Sequence, residues 1–263
     1  MDKHIKYLIE NILKFDVTDY ADNEDNIISN EQVNSIVYTI KPATREELDK
    51  IIVERLMENV EEPYLLDIDT SLIDDMSLLF YEDISNDDLR YFYNYGGIDT
   101  KDIKKLDLST WNTSNVKDMS YMFADCTGLT ELDISGFDTS NVDNMTFMFS
   151  KTNIQKLDLS NFDTSRVLNM SHMFYRCGSL ISLKINNFNT GAVKDMNNMF
   201  FKCESLKELD ISGFNTSNVE NMCYMFNYCL NLKNLDLSKW NTSKVKNMAS
   251  MFAYCHSLTT INI

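Results

Sequence analysis

The chain has 263 residues, 44% of them hydrophobic, with only 7 Gly and 2 Pro, a composition typical of one sizeable globular domain or two small ones. Its formal net charge of −16 belongs to residues 1–100, which hold 8 basic and 24 acidic residues, whereas residues 101–263 hold 16 of each. An acidic surface repels phosphate, which argues against a nucleic-acid partner, and no apolar run is long enough to insert into a membrane.

Residues 1–63 are predicted to form an acidic helical cap. An apolar stripe at helical spacing favours a first helix, and Ser29-x-x-Gln32 indicates a short second one. Thr44-x-x-Glu47 is a capping box that opens a third helix. We expect the cap to pack on or near the first coil of the repeats that follow. The apolar positions of the first and third helices are Ile5, Leu8, Ile9, Ile12 and Leu13, and Leu48, Ile51, Ile52 and Leu56.

Residues 64–105 are predicted to hold a degenerate leading copy of those repeats and an irregular insert. The leading copy covers residues 69–80, and the step from Phe80 to Phe123 is 43 residues, 17 more than one repeat of 26. The insert contains an aromatic cluster that suits either a binding hot spot or a plug that caps the core. The members of that cluster are Tyr91, Phe92, Tyr93 and Tyr95.

Residues 106–263 are a tandem repeat, which we count as five full copies and a terminal strand. The spacing between successive starts is constant except from Leu132 to Leu157, where it is one residue shorter, so the register slips once, in the second copy. An aromatic residue, a valine and a Met-x-x-Met-Phe block recur in fixed columns, and 12 of the 15 Met lie in that block. The starts are Leu106, Leu132, Leu157, Leu183, Leu209, Leu235 and Ile261, and the blocks end at Phe123, Phe149, Phe174, Phe200, Phe226 and Phe252.

Each copy is predicted to contribute one strand and one helical turn to a shared core. Leu106 and Leu108 alternate with polar residues, as a half-buried strand requires, and parallel pairing with the next copy advances the coil by about 4.8 Å. An Asp or Asn before the Met block, such as Asp118, can cap a short helical turn that directs the Met and Phe side chains inward. A single coil cannot bury its apolar edge, so the copies stabilise one another.

These columns resemble the BspA-like leucine-rich repeat proteins, a bacterial and protist group whose 26-residue repeat reads Leu-x-Leu-Ser-x-Trp/Phe-x-Thr-Ser-x-Val-x-x-Met-x-x-Met-Phe. The resemblance covers residues 106–263 copy by copy and extends weakly to residues 69–80. It implies an α/β repeat solenoid, a leucine-rich-repeat-like right-handed coil with one short parallel strand and a short helical turn per copy behind an N-terminal helical cap. It also implies binding, adhesion or host contact at a cell or virion surface, and it supplies no catalytic residues.

The first ten residues and the last five bear on location and assembly. Asp2 and Glu10 interrupt the window in which a signal peptide needs an unbroken apolar stretch, so the chain as written is expected in the cytoplasm. Residues 259–263 form a strand with no capping helix after it, which leaves an edge open to pairing. Either the natural chain is longer, or this edge meets a partner or a second copy of the chain.

The sequence offers little chemistry for a metal, a cofactor or catalysis. Five of the six Cys share one repeat column, which is typical of small buried hydrophobic residues, and we expect packing rather than disulfides or a metal site. The three His occupy unrelated repeat positions, and His172 is interpreted as a surface residue. No nucleotide-binding, hydrolase or metalloprotease motif occurs, so we expect no cofactor and no metal. The Cys column is Cys126, Cys177, Cys203, Cys229 and Cys255.

The outward positions of the strands are the candidate binding face. Their middle column is mostly acidic, and one lysine relieves the repulsion between neighbouring carboxylates. The column is either a solvated sheet surface or an acidic platform that binds a basic or polar protein. It consists of Asp107, Asp133, Asp158, Lys184, Asp210 and Asp236, followed by Asn262.

The function predicted from the sequence is a non-catalytic module that binds another protein, in adhesion or host contact as the resemblance implies. The alternative is an intracellular structural or regulatory scaffold that recruits a partner through the acidic cap or through the open C-terminal edge. An enzyme ranks third, because the repeat columns contain no convergent acid, base and nucleophile.

Overall fold

The computed structural model describes residues 39–81 and 100–263. The chain divides into two units, residues 1–35 and 36–263, and every described residue belongs to the second. The helices predicted from Ile5 to Leu13 and after Ser29 lie outside the described residues. The described elements are helix α1 (Arg45–Glu58), a 3₁₀ helix (Thr100–Asp102), and strands β1 (Lys105–Asp107), β2 (Glu131–Asp133), β3 (Lys156–Asp158), β4 (Ser182–Lys184), β5 (Asn234–Asp236) and β6 (Thr260–Asn262).

Helix α1 confirms the capping box. The N-cap residue Thr44 has an extended backbone, and its hydroxyl accepts a hydrogen bond from the Glu47 amide at 3.2 Å. The Glu47 carboxylate reaches back to the Ala43 amide at 2.7 Å. Leu48, Ile52 and Leu56 are fully buried on the face that the helical spacing predicts, and they share one core with the repeats. Among the described helices, none has the length and apolar character needed to cross a bilayer.

A buried ion pair joins α1 to the segment that leads into the repeats. The Arg55 guanidinium lies 2.9 Å from the Asp67 carboxylate, and their side chains are 7% and 10% exposed. Asp67 also accepts a hydrogen bond from the Thr39 hydroxyl at 2.7 Å. Separating such a pair leaves an uncompensated buried charge, so this contact holds α1 in place against the leading copy.

The repeats are joined by a ladder of backbone hydrogen bonds along the Met-Phe block. In the first copy, the amides of Met119, Tyr121, Phe123 and Asp125 donate to carbonyls of the second copy at 2.9–3.1 Å. The same four positions donate onward in every copy through the fifth. Residues 69–80 join the ladder through the amides of Met76, Leu78 and Phe80, as expected of a degenerate leading copy.

The helical turn predicted for each copy is wrong, because the block folds as consecutive β-turns. Met122 bonds back to Met119 and Cys126 to Phe123, three residues apart in each case. The third residue of both turns has positive φ, 58° at Tyr121 and 60° at Asp125, as in a type II turn. Instead of capping a helix, Asp118 accepts the Ser120 amide at 2.7 Å in a local turn. Left-handed residues recur four positions apart, and every second amide of the block donates to the next copy.

The strands pair in parallel with the predicted register, but not all along the array. The hydrogen-bonded pairs are β1 with β2, β3 with β4, and β5 with β6, and Leu106 is paired with Leu132. Within the described residues, β2 and β3 are not paired, and residues 208–210 of the fifth copy form no strand. The break after β2 coincides with the copy that is one residue short. Continuity therefore depends on the Met-Phe side, where single parallel bridges run unbroken from Asp75 to Asn247.

The core is a stack of equivalent side chains. The stack is formed by six complete copies, so the predicted count of five full copies is one too few. The copy at residues 235–260 is complete, and β6 follows it. Seven Phe rings stack along the array with centroid separations of 5.5–5.7 Å. The two Met of each block are fully buried in the first five copies, whereas Met248 in the sixth is 42% exposed. The rings are Phe80, Phe123, Phe149, Phe174, Phe200, Phe226 and Phe252.

Arg45 terminates the ladder at the leading copy. The carbonyls of Asp75 and Ser77 occupy the positions that, in every later copy, accept amides from the copy before. The Arg45 guanidinium donates to them instead, at 3.3 and 2.7 Å. Asp49, one turn along α1, holds the guanidinium through its Nε at 2.7 Å. One side chain thus satisfies two backbone acceptors that, within residues 39–81 and 100–263, have no preceding copy to bond with.

Candidate functional site

The acidic column of the strand face is exposed, but each carboxylate has a local structural role. Asp133 Oδ1 accepts hydrogen bonds from both the amide and the hydroxyl of Ser135, at 3.0 and 2.7 Å. The Ser two residues later does the same in four further copies and closes a turn after each Asp. The Leu-Asp-x-Ser pattern is therefore accounted for by turn geometry. The Asp residues concerned are Asp107, Asp133, Asp158, Asp210 and Asp236.

Lys184 reduces the repulsion between the carboxylates of this column through one ion pair. Its Nζ lies 2.6 Å from Asp158 Oδ2. That hydrogen bond, together with those from Ser160, lowers the pKa of Asp158 to about 2. Both side chains are largely exposed, so the pair has little effect on stability.

A shallow cleft of about 410 Å³ lies on the strand face where the fourth and fifth copies do not pair. Its lining mixes the apolar Ile181, which is 45% exposed, with Lys207, Glu208 and Asp210. Its charged lining is one basic and two acidic side chains, so the cleft has only a weak charge preference. The predicted aromatic cluster of Tyr91, Phe92, Tyr93 and Tyr95 lies outside the described residues.

A different surface carries the concentration of aromatic side chains. We call it the aromatic strip. Its rings form an almost continuous line of contacts across the copies, with centroids 4.6 Å apart for Tyr121 and Phe147, 4.1 Å for Phe147 and His172, and 4.2 Å for Tyr228 and Tyr254. Tyr254 is 53% exposed, and most of the others are half-buried. The members are Tyr121, Phe147, His172, Tyr175, Phe201, Tyr224, Tyr228 and Tyr254.

Two cationic side chains lie over rings in the middle of the aromatic strip. Arg176 Cζ is 5.5 Å from the centre of the Tyr175 ring, and Lys202 Nζ is 4.9 Å from that of Tyr228. Within the described part of the chain, neither cation forms an ion pair. Partial burial lowers the pKa of His172, which keeps the imidazole neutral at pH 7, so the positive charge here belongs to Arg176 and Lys202.

Six of the eight residues of the aromatic strip have a left-handed backbone conformation. Tyr121, Phe147, His172 and Tyr224 all have φ between 56° and 59°, and Tyr228 and Tyr254 have φ of 60° and 62°. Bulky residues rarely adopt this conformation, and Asn198 shows that the same column accepts Asn, which tolerates it well. Backbone geometry therefore does not explain why aromatic residues occupy these positions.

The sequence contains a signal for the aromatic strip, because aromatic side chains recur at one repeat position in four of the six copies. His172 shares its column with the aromatic residues Tyr121, Phe147 and Tyr224, at the second variable position of the Met-x-x-Met-Phe block, whereas the other two copies have Asn198 and Ser250 there. The interpretation of His172 as a lone surface residue missed the aromatic side chains with which it shares this column. The contacts between columns, such as that of His172 with Tyr175 at 5.3 Å, follow from the turns and are not visible in the spacing.

The six Cys are free thiols. Those at positions 126, 177, 203 and 229 are buried. No group of three or more His, Cys, Asp or Glu side chains is placed to hold a metal ion within the described residues.

Comparison with known proteins gives one family and a distant structural similarity. The family model described as "Mycoplasma protein of unknown function, DUF285" matches residues 88–183 and 178–262, more than half of the chain. A leucine-rich repeat protein from Bacteroides ovatus ATCC 8483 is similar at 14% identity with a TM-score of 0.23, over 62% of this chain and 61% of that one. The chain thus spans about three fifths of the length of that protein. No curated protein sequence matches the chain.

Proposed function

The chain belongs to the family described as Mycoplasma protein of unknown function, DUF285, and we propose that this member is a non-catalytic module that binds another protein through its aromatic strip. The observation that carries the proposal is the line of partly exposed Tyr, Phe and His rings with Arg176 and Lys202 over them. Tyr and Arg are enriched at the centres of protein interfaces, and Tyr loses little conformational freedom on binding.

The construction of the aromatic strip supports the same function. Stacked copies keep each exposed ring at a fixed spacing from the next, and such arrays provide extended, preformed binding surfaces. The aromatic residues at left-handed positions cost backbone strain that Asn would not, so their presence favours a role beyond folding. Polar groups of the repeats, by contrast, are occupied in turns and ladders, which supports a binding role over catalysis.

Two finer statements belong to this proposal. The 26-residue pattern with its Met-x-x-Met-Phe block supports a BspA-like leucine-rich repeat of right-handed coil. Adhesion or host contact is the form of binding that this resemblance implies, and an intracellular scaffold is the alternative. The acidic strand face is the weaker site, because the Oδ1 atom of each of its carboxylates already accepts two hydrogen bonds.

The proposal is tested by quantitative affinity capture with the full chain. We compare the wild type with Tyr224→Asn plus Tyr254→Asn, which removes two exposed rings and leaves Asn at positions where φ is 56° and 62°. The matched control is Asp133→Asn plus Asp210→Asn, which removes two carboxylates from the strand face while an amide oxygen can still close each turn.

We expect proteins captured from the source organism and its surroundings by the wild type to be depleted with the double Tyr variant and retained with the control. Both variants should melt close to the wild type, because Asn tolerates positive φ and because the strand turns persist. Capture that is unchanged by loss of both rings, or lost only with the control, contradicts the proposal.

A further inference from the structure

We infer that the partner segment recognised by the aromatic strip is acidic, with carboxylates interspersed among apolar or aromatic side chains. The inference rests on the proposed function and names the partner's chemistry. The supporting observation is the positive charge of Arg176 and Lys202 in the aromatic strip, which is opposite in sign to the net charge of the chain.

The cations of the aromatic strip differ in whether their charge is already balanced. Lys151, in the second copy, forms an ion pair with Asp125 at 2.7 Å. Arg176 and Lys202, at the same repeat position in the third and fourth copies, have rings beneath them and no carboxylate partner in the described residues. A cation held over a ring keeps its outward side open to an anion.

The neighbouring charges do not cancel this pattern. Asp195 lies near His172, and Glu204 follows Lys202 by two residues, yet neither forms an ion pair with Arg176 or Lys202. The two cations occupy equivalent positions of adjacent copies, whose core rings are stacked at 5.6 Å. An extended peptide with acidic groups every second residue, about 6–7 Å apart, matches a pair of charges at this scale.

The ring positions favour a peptide over a nucleic acid. In the stacked pairs each ring covers a face of its neighbour, whereas single-stranded nucleic acid binds by stacking its bases on exposed ring faces. Only two unbalanced cations are available on the described part of the strip, and nucleic-acid sites need a longer basic track. Carboxylates pair with the cations, while apolar side chains contact the ring edges.

The test uses labelled synthetic copolymers and the full chain. Fluorescent random poly(Glu,Tyr) is titrated at about 0.15 M salt and compared with poly(Lys,Tyr) and with poly(U) RNA. The test variant is Arg176→Glu plus Lys202→Glu. The matched control, Lys207→Glu plus Lys233→Glu, reverses two exposed lysines that are also at equivalent positions of adjacent copies and lie outside the aromatic strip.

We expect poly(Glu,Tyr) to bind the wild type and the control alike and to bind the test variant about tenfold more weakly. Because the whole chain carries −16, general attraction cannot produce that binding. Absence of poly(Glu,Tyr) binding, equal weakening by both variants, or a preference for poly(Lys,Tyr) overturns the inference. Binding of poly(U) that depends on Arg176 and Lys202 overturns it as well, in favour of nucleic acid. The capture experiment with Tyr224→Asn and Tyr254→Asn is independent of partner charge, so it separates failure here from failure of the proposed function.

Discussion

Each buried thiol of the Cys column donates a hydrogen bond to the carbonyl of a core Phe in the copy before it. Cys177 Sγ lies 3.0 Å from the Phe149 carbonyl, and Cys203 Sγ lies 3.2 Å from that of Phe174. Burial raises the pKa of Cys177 to about 11 and raises that of Cys203 well above its usual value. The residue type follows from this geometry, because a thiol combines a small apolar volume with a weak donor. The repeat spacing was sufficient to predict the burial, whereas the hydrogen bond required the stacking geometry.

Protonated, buried thiols react slowly with electrophiles, which gives a residue-level prediction. In the native protein at pH 8, Ellman's reagent should modify Cys223 first, since it is the most exposed thiol, and half-buried Cys255 more slowly. The other four should react only after unfolding in guanidinium. Fast reaction of all six in the native state would contradict the burial of the column. A Cys223→Ser variant is the control, because it should remove the fast phase alone.

Helix α1 has one contact that a local sequence pattern predicts and another that no local pattern predicts. Thr44 and Glu47 cap the helix within one turn, so the sequence pattern was sufficient to predict its start. The Arg45 guanidinium donates hydrogen bonds to carbonyls 30 and 32 residues further along the chain, and no local pattern predicts these contacts. The same limit applies to the Met-Phe block, where Asp before apolar residues is typical of a helix start. In the structure, the amides of the block donate hydrogen bonds to carbonyls of the next copy instead, and this pairing favours β-turns over a helix.

Removing the Arg45 guanidinium should destabilise the cap. In Arg45→Ala, the carbonyls of Asp75 and Ser77 lose their donors, at a cost of about 1–3 kcal/mol in the free energy of unfolding. Urea denaturation followed by circular dichroism measures the change. Lys50→Ala is the matched control on the same helix, since its ion pair with Glu46 is fully exposed and its loss should leave the midpoint unchanged. Equal midpoints for the two variants would show that Arg45 does not cap the ladder.

At the scale of the whole molecule, each copy is in contact with its neighbours through two structures, the Phe stack and the amide ladder. Both recur once per copy at the sequence period, which is why the core columns could be predicted from spacing alone. The aromatic strip could not, because its line of contacts alternates between columns three or four residues apart, and only the left-handed turns bring those columns together. Sequence periodicity therefore identifies what is buried, whereas the proposed binding surface had to be found from geometry.

A stack held by nearest-neighbour contacts should respond to damage according to position. Phe174 lies in the middle of the ring stack and is fully buried, so Phe174→Ala should lower the free energy of unfolding by about 3–5 kcal/mol. Phe252 has a ring on one side only and is half-buried, so Phe252→Ala should cost clearly less. Hydrogen exchange read by mass spectrometry separates local from global effects: Phe174→Ala should raise exchange first in residues 132–208, and Phe252→Ala in residues 235–263. Uniform acceleration across residues 106–263 in both variants would mean that the array unfolds as one unit, and nearest-neighbour coupling would then be the wrong description of its stability.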